Sequence, residues 1–269
     1  MKVHQIRIDF NVTEQIKRYV LVYLLEGRHC YLIDSGVYGS EGIIEAYLES
    51  IGRNTSEIKG VFLTHAHPDH IGTAAYFRDK TGCKIYASKG EKQWIEDINL
   101  QYEQRPISNF YNLAGKSTTV DVIVKDGDVL DIDEELSIKV IGTAGHSIDE
   151  VSYMFDHVIF VGDSIPVKGD IPIYVDKQLS IDSLEKLRDI ENAECYYPAW
   201  DRTYLREEAM EKIQMGLDII QMLEQSTNKV LKKNPKFSLL NIVQLVCEDL
   251  NMPQLMMNPL FAKTIQSHF

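Results

Sequence analysis

The sequence predicts an α+β protein in which two packed β-sheets are flanked by helices. Residues 3–34 and 120–162 are rich in strand-like apolar alternation, and segments of helical periodicity follow each of them. Sheets whose strands alternate with helices bury their outer faces under those helices, which favours a layered packing. From about residue 203 the pattern is helical. We therefore expect a sheet-and-helix domain over 1–202 and a small helical extension over 203–269.

The first half of the chain supplies most of the clearly defined elements. The turn-like Glu26-Gly27-Arg28 separates two apolar strands over 19–25 and 29–34, which predicts a hairpin. Ser40 can cap the helix that follows. The remaining elements predicted in this half are helices over 41–51 and 70–80 and strands over 58–64 and 84–87.

The pattern is less sharp over 88–118, where aromatic residues occur without a clear period. A long connection of this kind often forms a lid or one wall of a binding site, and we expect that here. After the second β-rich stretch, we expect a helix from Ser180 or Asp182 to about 190 and a strand over 194–197. The extension should contain helices from about 203, over 239–250 and over 259–269, with a break at Asn234-Pro235.

Composition restricts the classes of function. The chain of 269 residues has a formal net charge of −12 and no cluster of Lys and Arg, so a nucleic-acid partner is not expected. It has no run of 18 apolar residues and no apolar signal core after Met1. These features predict a cytoplasmic protein that acts on a small molecule and does not enter a membrane. The four cysteines form no CxxC pair and are expected to be buried thiols in a reducing compartment.

The most informative segment is Thr64-His65-Ala66-His67-Pro68-Asp69-His70, which contains three imidazoles and a carboxylate within six residues. On a strand, His65 and His67 project to the same side and can approach one ion, and the proline after His67 favours extended backbone there. Asp69 and His70 come at the turn into the next helix, where they can face a second ion. Imidazole nitrogen and carboxylate oxygen suit zinc, iron or manganese better than calcium. The segment therefore predicts a site for one or two divalent metal ions.

Three further residues lie at predicted strand ends. His146 follows Gly145 after an apolar strand, a placement that favours a metal ligand once the cluster is known. Asp163 ends another apolar strand, and its two carboxylate oxygens could bridge two cations. Asp34 also ends a strand, and we expect it to orient a ligand histidine through a hydrogen bond.

In this order the residues resemble the motifs of the metallo-β-lactamase superfamily. Asp34, the His65-x-His67-x-Asp69-His70 run, His146 and Asp163 match the first four of its five motifs. The resemblance covers about residues 1–200. It implies a four-layer αββα sandwich with the site at one edge, usually with one or two zinc ions.

The resemblance also implies a mechanism. One ion would be held by His65, His67 and His146, and the other by Asp69, His70 and the bridging Asp163. A metal-bound hydroxide would attack an acyl or phosphoryl centre. Asp69 would be the catalytic residue that orients the water and passes its proton to the leaving group.

The fifth motif departs from the family pattern. Where members commonly have Pro-Gly-His-Gly, this chain has Tyr197-Pro198-Ala199-Trp200-Asp201, and an indole cannot ligate a metal. The carboxylate of Asp201 could replace the missing ligand, directly or through water. Two alternatives remain open. The second site could be weak or empty, or a histidine from elsewhere could complete it, namely His4, His29, His157 or His268.

The substrate is the least defined part of the prediction. The chain lacks the large insertion of nucleic-acid-processing members, whereas its helical extension resembles that of glyoxalase II-like members, in which added helices help to form the pocket. A small thioester, lactone or other ester is therefore expected. Candidates for binding an anionic group are Arg105, Tyr111, Lys168 and Tyr174. The alternatives are a phosphodiesterase, a non-hydrolytic metal-binding sensor and an iron-containing redox protein. The extension could also form the surface of a homodimer.

Overall fold

A computed structural model, which describes residues 1–233 and 235–269, contains two six-stranded mixed β-sheets. The strands of the first sheet are β1 (Lys2–Asn11), β2 (Lys17–Glu26), β3 (Cys30–Ile33), β4 (Ile58–Phe62), β5 (Lys84–Ser88) and β6 (Val122–Val124). They lie side by side in chain order, with β1 to β3 antiparallel and β3 to β6 parallel. The parallel half directs the carboxyl ends of β3 and β4 toward the same edge of the sheet.

The second sheet is mainly antiparallel. Its strands are β7 (Val129–Asp131), β8 (Ser137–Gly142), β9 (Val151–Phe155), β10 (Val158–Gly162), β11 (Cys195–Pro198) and β12 (Tyr204–Leu205). They lie in the order β12-β11-β10-β9-β8-β7, and only the β10–β11 pair among them is parallel. The connection between those two parallel strands contains a helix, as parallel crossovers usually do.

The helices lie on the outer faces of the two sheets. Those of the first half are α1 (Glu41–Ser50), α2 (Pro68–Ile71), α3 (Ala74–Thr81), α4 (Lys89–Glu96), α5 (Ile98–Gln104) and α6 (Phe110–Ala114). Those of the second half are α7 (Lys177–Arg188), α8 (Arg206–Lys233), α9 (Leu239–Asp249) and α10 (Pro259–Gln266). Short 3₁₀ turns cover Thr55–Glu57 and Pro253–Leu255.

Three hydrophobic cores separate the layers. Strand β2 shows why: Val22 and its alternate neighbours pack against the helices of the first half, whereas Tyr23 and its alternate neighbours pack between the sheets. Across the inter-sheet core, Tyr153 and Phe160 of the second sheet meet this face. The third core lies between the second sheet and α7 to α10. This order of helices, sheet, sheet and helices confirms the predicted αββα sandwich.

Two helix boundaries differ from the prediction. The helix expected over 70–80 is divided into α2 and α3 because the chain is tightly packed at Gly72. The amide of Gly72 donates to the carbonyl of Gly36 at 2.8 Å, and a Cβ at Gly72 would lie 2.2 Å from the nitrogen of Tyr38. Helix α7 begins at Lys177, earlier than predicted, because the Asp176 carboxylate accepts from the amide of Leu179 and caps it.

Two local predictions in the first half are wrong in detail. Ser40 precedes α1 but does not cap it, since its hydroxyl donates to the carbonyl of Val37 at 2.6 Å. The residues His65 and His67 do not lie on a strand, because β4 ends at Phe62 and the chain then turns toward α2. Their imidazoles therefore converge through loop geometry and not through strand alternation.

The segment over 88–118 is not an irregular lid. It folds into α4, α5 and α6, whose apolar residues, Ile95 and Phe110 among them, enter the core of the first half. The helices are too short to display a clear period in the sequence, and their faces are fixed by packing against that core. The segment still forms a wall of a cavity, as expected, through Arg105, Ile107 and Leu113.

The helical extension is packed onto the second sheet. Strand β12 lies beyond the predicted boundary at 202 and pairs with β11, and residues of α8, α9 and α10 share the third core with β10 and α7. The division at 202 stays a prediction. Asn234 of the predicted break lies outside the described residues. Among the described residues, no helix combines the length and the apolar character needed to cross a bilayer.

The two sheets are linked by a buried hydrogen bond that can be removed without changing the shape of the core. The Tyr153 hydroxyl donates to the carbonyl of Leu63 at 2.9 Å, and the side chain is fully buried. Tyr153→Phe leaves that carbonyl without its partner. We expect a loss of about 1–3 kcal/mol in the free energy of unfolding, measured by urea denaturation.

The matched control is Tyr197→Phe in the same inter-sheet core. Tyr197 packs against Tyr23 and Phe160, and its hydroxyl has no hydrogen bond with the described residues. Its substitution should change the free energy of unfolding by less than about 0.5 kcal/mol. Equal effects of the two substitutions would contradict the role given to the Tyr153 hydroxyl.

Candidate metal centre

Polar loops from both sheets meet at one edge of the sandwich. In the first sheet, Asp34 follows β3 and residues 63–70 follow β4. In the second sheet, His146 lies in the loop after β8, Asp163 directly follows β10, and Trp200 lies beyond β11. Carboxyl ends of parallel strands are common places for ligand sites because the loops there are free of the sheet pairing. The fold thus brings together residues that are up to 166 positions apart in the chain.

Three imidazoles point at one position. The Nε2 atom of His65 lies 2.9 Å from Nδ1 of His67, and that atom lies 2.9 Å from Nε2 of His146. All three side chains are buried. The carboxylate of Asp163 completes a group of four whose ligand atoms all lie within 4.8 Å of one another. Such a cluster of nitrogen and oxygen donors has the composition of a metal site.

The protonation of these imidazoles suits a cation. Burial lowers the pKa of His65 and His67 well below the usual value, and neighbouring positive groups lower it further. Burial also lowers the pKa of His146 to about 4, against the opposing effect of Asp163. All three rings are therefore neutral at pH 7, which is the form that binds metal. The carbonyl of Ile173 lies 2.8 Å from Nδ1 of His146, so it can hold the tautomer in which Nε2 faces the cluster.

A second set of ligands lies beside the first. The Oδ2 atom of Asp163 lies 3.4 Å from Nε2 of His146 and 3.4 Å from Nε2 of His70, so it stands between the two sets. A carboxylate oxygen of Asp69 is 3.8 Å from the same His70 nitrogen. Burial lowers the pKa of His70, but the three carboxylates of Asp163, Asp34 and Asp69 outweigh it and raise the pKa well above the usual value. Without a cation, this imidazole carries the positive charge that the acidic groups require.

Asp34 is placed where the sequence predicted, next to a histidine of the cluster. Its carboxylate lies 2.8 Å from Nδ1 of His70 and accepts from the amide and hydroxyl of Thr64. Its backbone adopts a left-handed conformation, with φ of 59°. That conformation is unfavourable for a residue with a Cβ and is retained because the hydrogen bonds hold the carboxylate between the two loops.

Two buried glutamates support the site and were not predicted. Glu91 accepts from the amide of Ala66, the amide of Asp149 and the hydroxyl of Ser147, so one carboxylate connects the loops that carry the histidines. Glu150 accepts from the amide of Asp163 at 3.0 Å and lies 3.6 Å from Nδ1 of His65. Burial raises the pKa of both carboxyls.

The sequence carries little signal for these glutamates. The partners of Glu91 lie 25 to 58 positions away along the chain, so no local motif includes them. Glu150 does precede the apolar strand β9 directly. An acidic residue directly before an apolar strand can be buried beside a site, but the same sequence pattern also occurs at exposed turns. The pattern therefore does not distinguish the two placements.

Trp200 lines the wall of the site, whereas Asp201 lies outside it. The indole of Trp200 lines the same cavities as His146 and Asp163, and its Nε1 atom is buried without a hydrogen-bond partner among the described residues. The carboxylate of Asp201 instead accepts from the hydroxyl of Tyr204 at 2.7 Å and from Lys212 at 3.2 Å. The structure therefore does not bring Asp201 into the cluster, because α8 and β12 engage its carboxylate.

The four histidines considered as replacements for the missing ligand also lie elsewhere. His4 is 2.8 Å from the carboxylate of Glu26, His29 lies in the turn before β3, and His157 is beside the carbonyl of Asn192. His268 is 2.7 Å from the hydroxyl of Tyr174. None of the four belongs to the cluster of described donors.

Of the four candidates for substrate binding, only Arg105 faces the centre. It is 7% exposed and lines a cavity of about 280 Å³ together with His67, Asp69 and Trp200. Burial lowers the pKa of Arg105 to about 10, against the effect of Asp69 and Asp163, so the guanidinium remains charged at neutral pH. Among the described residues, carboxylates act on its guanidinium only through longer-range attraction, and none accepts a hydrogen bond from it. A buried cation in such a cavity is suited to bind an anion.

The other three candidates are placed differently from the prediction. Tyr174 is 1% exposed, and its hydroxyl is held by His268 at the chain terminus. Tyr111 is 47% exposed and donates to the side chain of Asn99. Lys168 lines a wider groove farther along the surface. Aromatic and basic residue types alone could not show which of these side chains face the cavity.

The donor set fits one or two divalent cations. The Nε2 atom of His70 and the Oδ1 atom of Asp163 are buried and have no hydrogen-bond partner among the described residues. Buried polar atoms of this kind are rare in folded proteins unless something else binds them. Mixed imidazole and carboxylate ligands are those that zinc, iron and manganese accept. The first group contains four donor residues, His65, His67, His146 and Asp163. The second contains Asp69, His70 and the shared Asp163, and so has one donor fewer.

Comparison with known sequences agrees with this arrangement. Residues 16–200 match a sequence model of the metallo-beta-lactamase superfamily. A hydroxyacylglutathione hydrolase of Bradyrhizobium sp. (strain BTAi1 / ATCC BAA-1182) is 28% identical over 145 residues, 50% of this chain and 47% of that protein. A probable metallo-hydrolase, YqgX of Bacillus subtilis (strain 168), is 30% identical over 156 residues, 55% of this chain and 64% of that protein. The chain thus spans about half the length of the curated relatives it matches.

Solved structures share the fold at low sequence identity. A metallo-beta-lactamase family protein of Thermus thermophilus superposes with a TM-score of 0.75 at 16% identity, covering 99% of this chain and 91% of that chain. BJP-1, a subclass B3 metallo-beta-lactamase of Bradyrhizobium japonicum, superposes with a TM-score of 0.60 at 18% identity, covering 79% and 92%. At these identities the likeness concerns the fold alone.

The second metal position can be tested by changing the residue that replaces the expected ligand. Trp200→His introduces an imidazole where the indole Nε1 can only donate. We expect the second equivalent of zinc to bind at least about tenfold more tightly than in the wild type, which corresponds to ~1.4 kcal/mol. Competition titration with a chromophoric chelator measures this, and elemental analysis gives the stoichiometry.

Two control variants accompany that substitution. Trp200→Phe removes the indole without adding a ligand, so it should not tighten binding of the second ion. Asp201→Ala should leave the metal content unchanged, because the structure engages that carboxylate with Tyr204 and Lys212. Equal affinities in Trp200→His and Trp200→Phe, or loss of one ion in Asp201→Ala, would contradict the placement described here.

Proposed function

Because the chain belongs to the metallo-beta-lactamase superfamily, we propose that it is a metal-dependent hydrolase of small thioesters, lactones or other esters. The observation that carries the proposal is the convergence of neutral imidazoles, the Asp163 carboxylate and Asp69 at a cavity that also contains a buried cation. The names of the relatives, hydroxyacylglutathione hydrolase and probable metallo-hydrolase, support the same reaction class.

The chain offers two sets of residues to hold metal. His65, His67 and His146 would bind one ion, Asp69 and His70 would bind a second, and Asp163 would lie between them. Zinc is the ion that we propose for both positions. When bound, a divalent cation supplies a water whose pKa is lowered to about 7 and positive charge that stabilises the developing oxyanion.

The chain's own groups then complete an ester hydrolysis. Water adds to the acyl carbon, the bond from that carbon to oxygen or sulfur breaks, and the alcohol or thiol leaves with a proton. Asp69 lines the cavity and faces the ligands, so its carboxylate is placed to orient the water and to carry the proton. Burial raises the pKa of Asp69, although the nearby His70 opposes the shift. Because its pKa is raised, the carboxylate is a better proton acceptor.

Arg105 supports a substrate with an anionic group near the reacting bond. Its guanidinium faces the cavity and has no partner among the described residues, so a carboxylate there would gain hydrogen bonds that the protein leaves free. A thioester or ester with a carboxylate close to the acyl group meets this requirement. With a neutral substrate, only the electrostatic attraction of Asp69, Asp163 and Glu91 would compensate the buried guanidinium, without a hydrogen bond.

Activity should depend on the residues of the cavity and not on the histidines outside it. On zinc-loaded protein, we expect His67→Ala to lose a metal ligand and Asp69→Asn to lose the proton acceptor. Each should lower kcat/KM by a factor of about 100 or more on the preferred ester of a panel. The panel contains thioesters, lactones, carboxylic esters and a phosphodiester, so the phosphodiesterase alternative is tested with it.

His157→Ala is the matched control, since this exposed imidazole lies beside Asn192 and outside the cluster. It should retain wild-type kcat/KM. Circular dichroism shows whether each variant is folded. Elemental analysis of the protein as purified, before zinc is added, separates zinc from iron and tests the redox alternative. Wild-type turnover in folded His67→Ala, or no hydrolysis of any panel member by the zinc-loaded wild type, would refute the proposed function.

The role of Arg105 is tested by the charge of the substrate. Acyl thioesters of thioglycolate carry a carboxylate, and those of thioglycolamide are neutral but otherwise similar. Arg105→Met should raise KM for the thioglycolate ester about 10- to 100-fold, as expected for a charge-assisted hydrogen bond of ~1.5–3 kcal/mol. KM for the thioglycolamide ester should change little. A similar effect on both esters would assign Arg105 a structural role instead.

A further inference from the structure

A large open groove runs along helix α8 beside the metal centre. It has a volume of about 1270 Å³ and lies between α8, the loop that follows β10 and the chain before α10. Its wall consists largely of thioether and aliphatic side chains, namely Met210, Met215, Ile219, Met222, Met252 and Leu255. Four of the eight methionines of the chain lie here, although the groove is formed by a small part of the sequence.

The groove adjoins the cavity of the metal centre. Ile16, Arg18, Ile171 and Asn258 line both the groove and the cavity that contains His67, Asp69 and Arg105. A molecule whose reacting group lies at the histidines would therefore need to pass only these four shared side chains to extend along α8.

The apolar face toward the groove borders the core face of α8 and shares Met210 and Ile219 with it. Ile213, Gly216, Ile220 and Leu223 of α8 are buried in the third core or beside it. The methionines at 210, 215 and 222 follow a neighbouring helical stripe and remain half-buried, in a helix whose other exposed positions are mostly polar or charged. Met210 also packs against the third core, whereas Met215 and Met222 do not belong to that core and leave apolar surface accessible, which costs solubility. This apolar surface lies beside the cavity that contains His67 and Asp69, where it can contact an apolar part of a bound ligand.

Where the groove adjoins the cavity, the positive charge of Arg18 is already paired with Asp170. The guanidinium of Arg18 donates both its terminal nitrogens to the carboxylate of Asp170, at 2.9 and 2.8 Å, and it lies 5.3 Å from the ring of Trp200. The acidic Glu211 and Asp218 and the basic Lys168 lie at the groove as well. The groove thus has no excess of positive charge for a second anionic group, and its centre is apolar.

We propose that this groove binds the apolar acyl chain of the substrate, so that the enzyme prefers esters or thioesters of medium- or long-chain acids. The inference rests on the proposed hydrolase function and assigns the substrate class of the same site. The carbonyl lies at the histidines, the anionic leaving group lies at Arg105, and the chain follows the methionines of α8. Methionine suits this role because its unbranched, polarisable side chain adapts to flexible apolar ligands.

The test compares chain lengths on one leaving group. Thioglycolate thioesters with butanoyl, octanoyl and dodecanoyl chains are hydrolysed by zinc-loaded protein below their critical micelle concentrations. We expect kcat/KM to rise by up to about fourfold for each methylene that enters the groove. In parallel, isothermal titration calorimetry measures binding of dodecanoate and butanoate, which requires no turnover. Dodecanoate should bind more tightly than butanoate, again by up to about fourfold for each methylene that enters the groove.

Variants of α8 locate the effect. Met215→Lys places an ammonium in the groove, and we expect the ratio of kcat/KM for dodecanoyl to butanoyl thioester to fall at least tenfold. Met222→Lys serves as a second variant if the first does not fold. Gln221→Lys adds the same charge to an exposed position of the same helix outside the groove and should leave the ratio unchanged.

The outcomes separate this inference from the proposed function. Hydrolysis of all three thioesters at equal kcat/KM, with no preference for dodecanoate in calorimetry, overturns the acyl-chain inference and leaves the hydrolase intact. Tight dodecanoate binding without hydrolysis of any thioester or of any other member of the panel supports the groove and refutes the hydrolase. A dimer in sedimentation analysis that Met215→Lys dissociates, with an unchanged ratio, would overturn the inference by showing that a second copy of the chain occupies the groove.

Discussion

The arrangement of the protein depends on bringing neutral imidazoles and carboxylates together out of water. His65, His67 and His146 are buried and uncharged, while the acidic groups around His70 require a positive charge in their midst. Burying such a set without a cation is costly, because donors and acceptors such as Asp163 Oδ1 are left unpaired. The sandwich makes the set possible by directing strand ends from two sheets to one edge.

Rigidity at this edge comes from buried carboxylates that do not belong to the cluster. Glu91 connects the loops of His67 and His146, and Asp34 connects the loops after β3 and β4. Helix α4, which carries Glu91, therefore stabilises the site, whereas the cavity wall is formed by residues after α5 and by α6. A metal centre needs such support, since small displacements of its ligands change affinity strongly.

The helical extension contributes to the site as well as to the fold. One face of α8 completes the third core, and the neighbouring stripe of methionines borders the groove that joins the cavity. The side chain of Arg18, paired with Asp170, lines both the groove and the cavity. The histidines and carboxylates at the strand ends match the superfamily's motifs, whereas the groove along α8 is the surface that we propose for the acyl chain of the substrate.

Local patterns in the chain were sufficient to predict the layered fold and the identity of the clustered residues, because alternation and ligand chemistry are local properties. His65, His67, His70 and the strand-end Asp163 could be found in this way. Packing between distant elements decided which other side chains face the cavity. It placed Arg105 there, directed Tyr174 into the core and Asp201 toward α8, and assembled the partners of Glu91 from separate segments. Those outcomes depend on contacts between elements far apart in sequence, for which no local pattern exists.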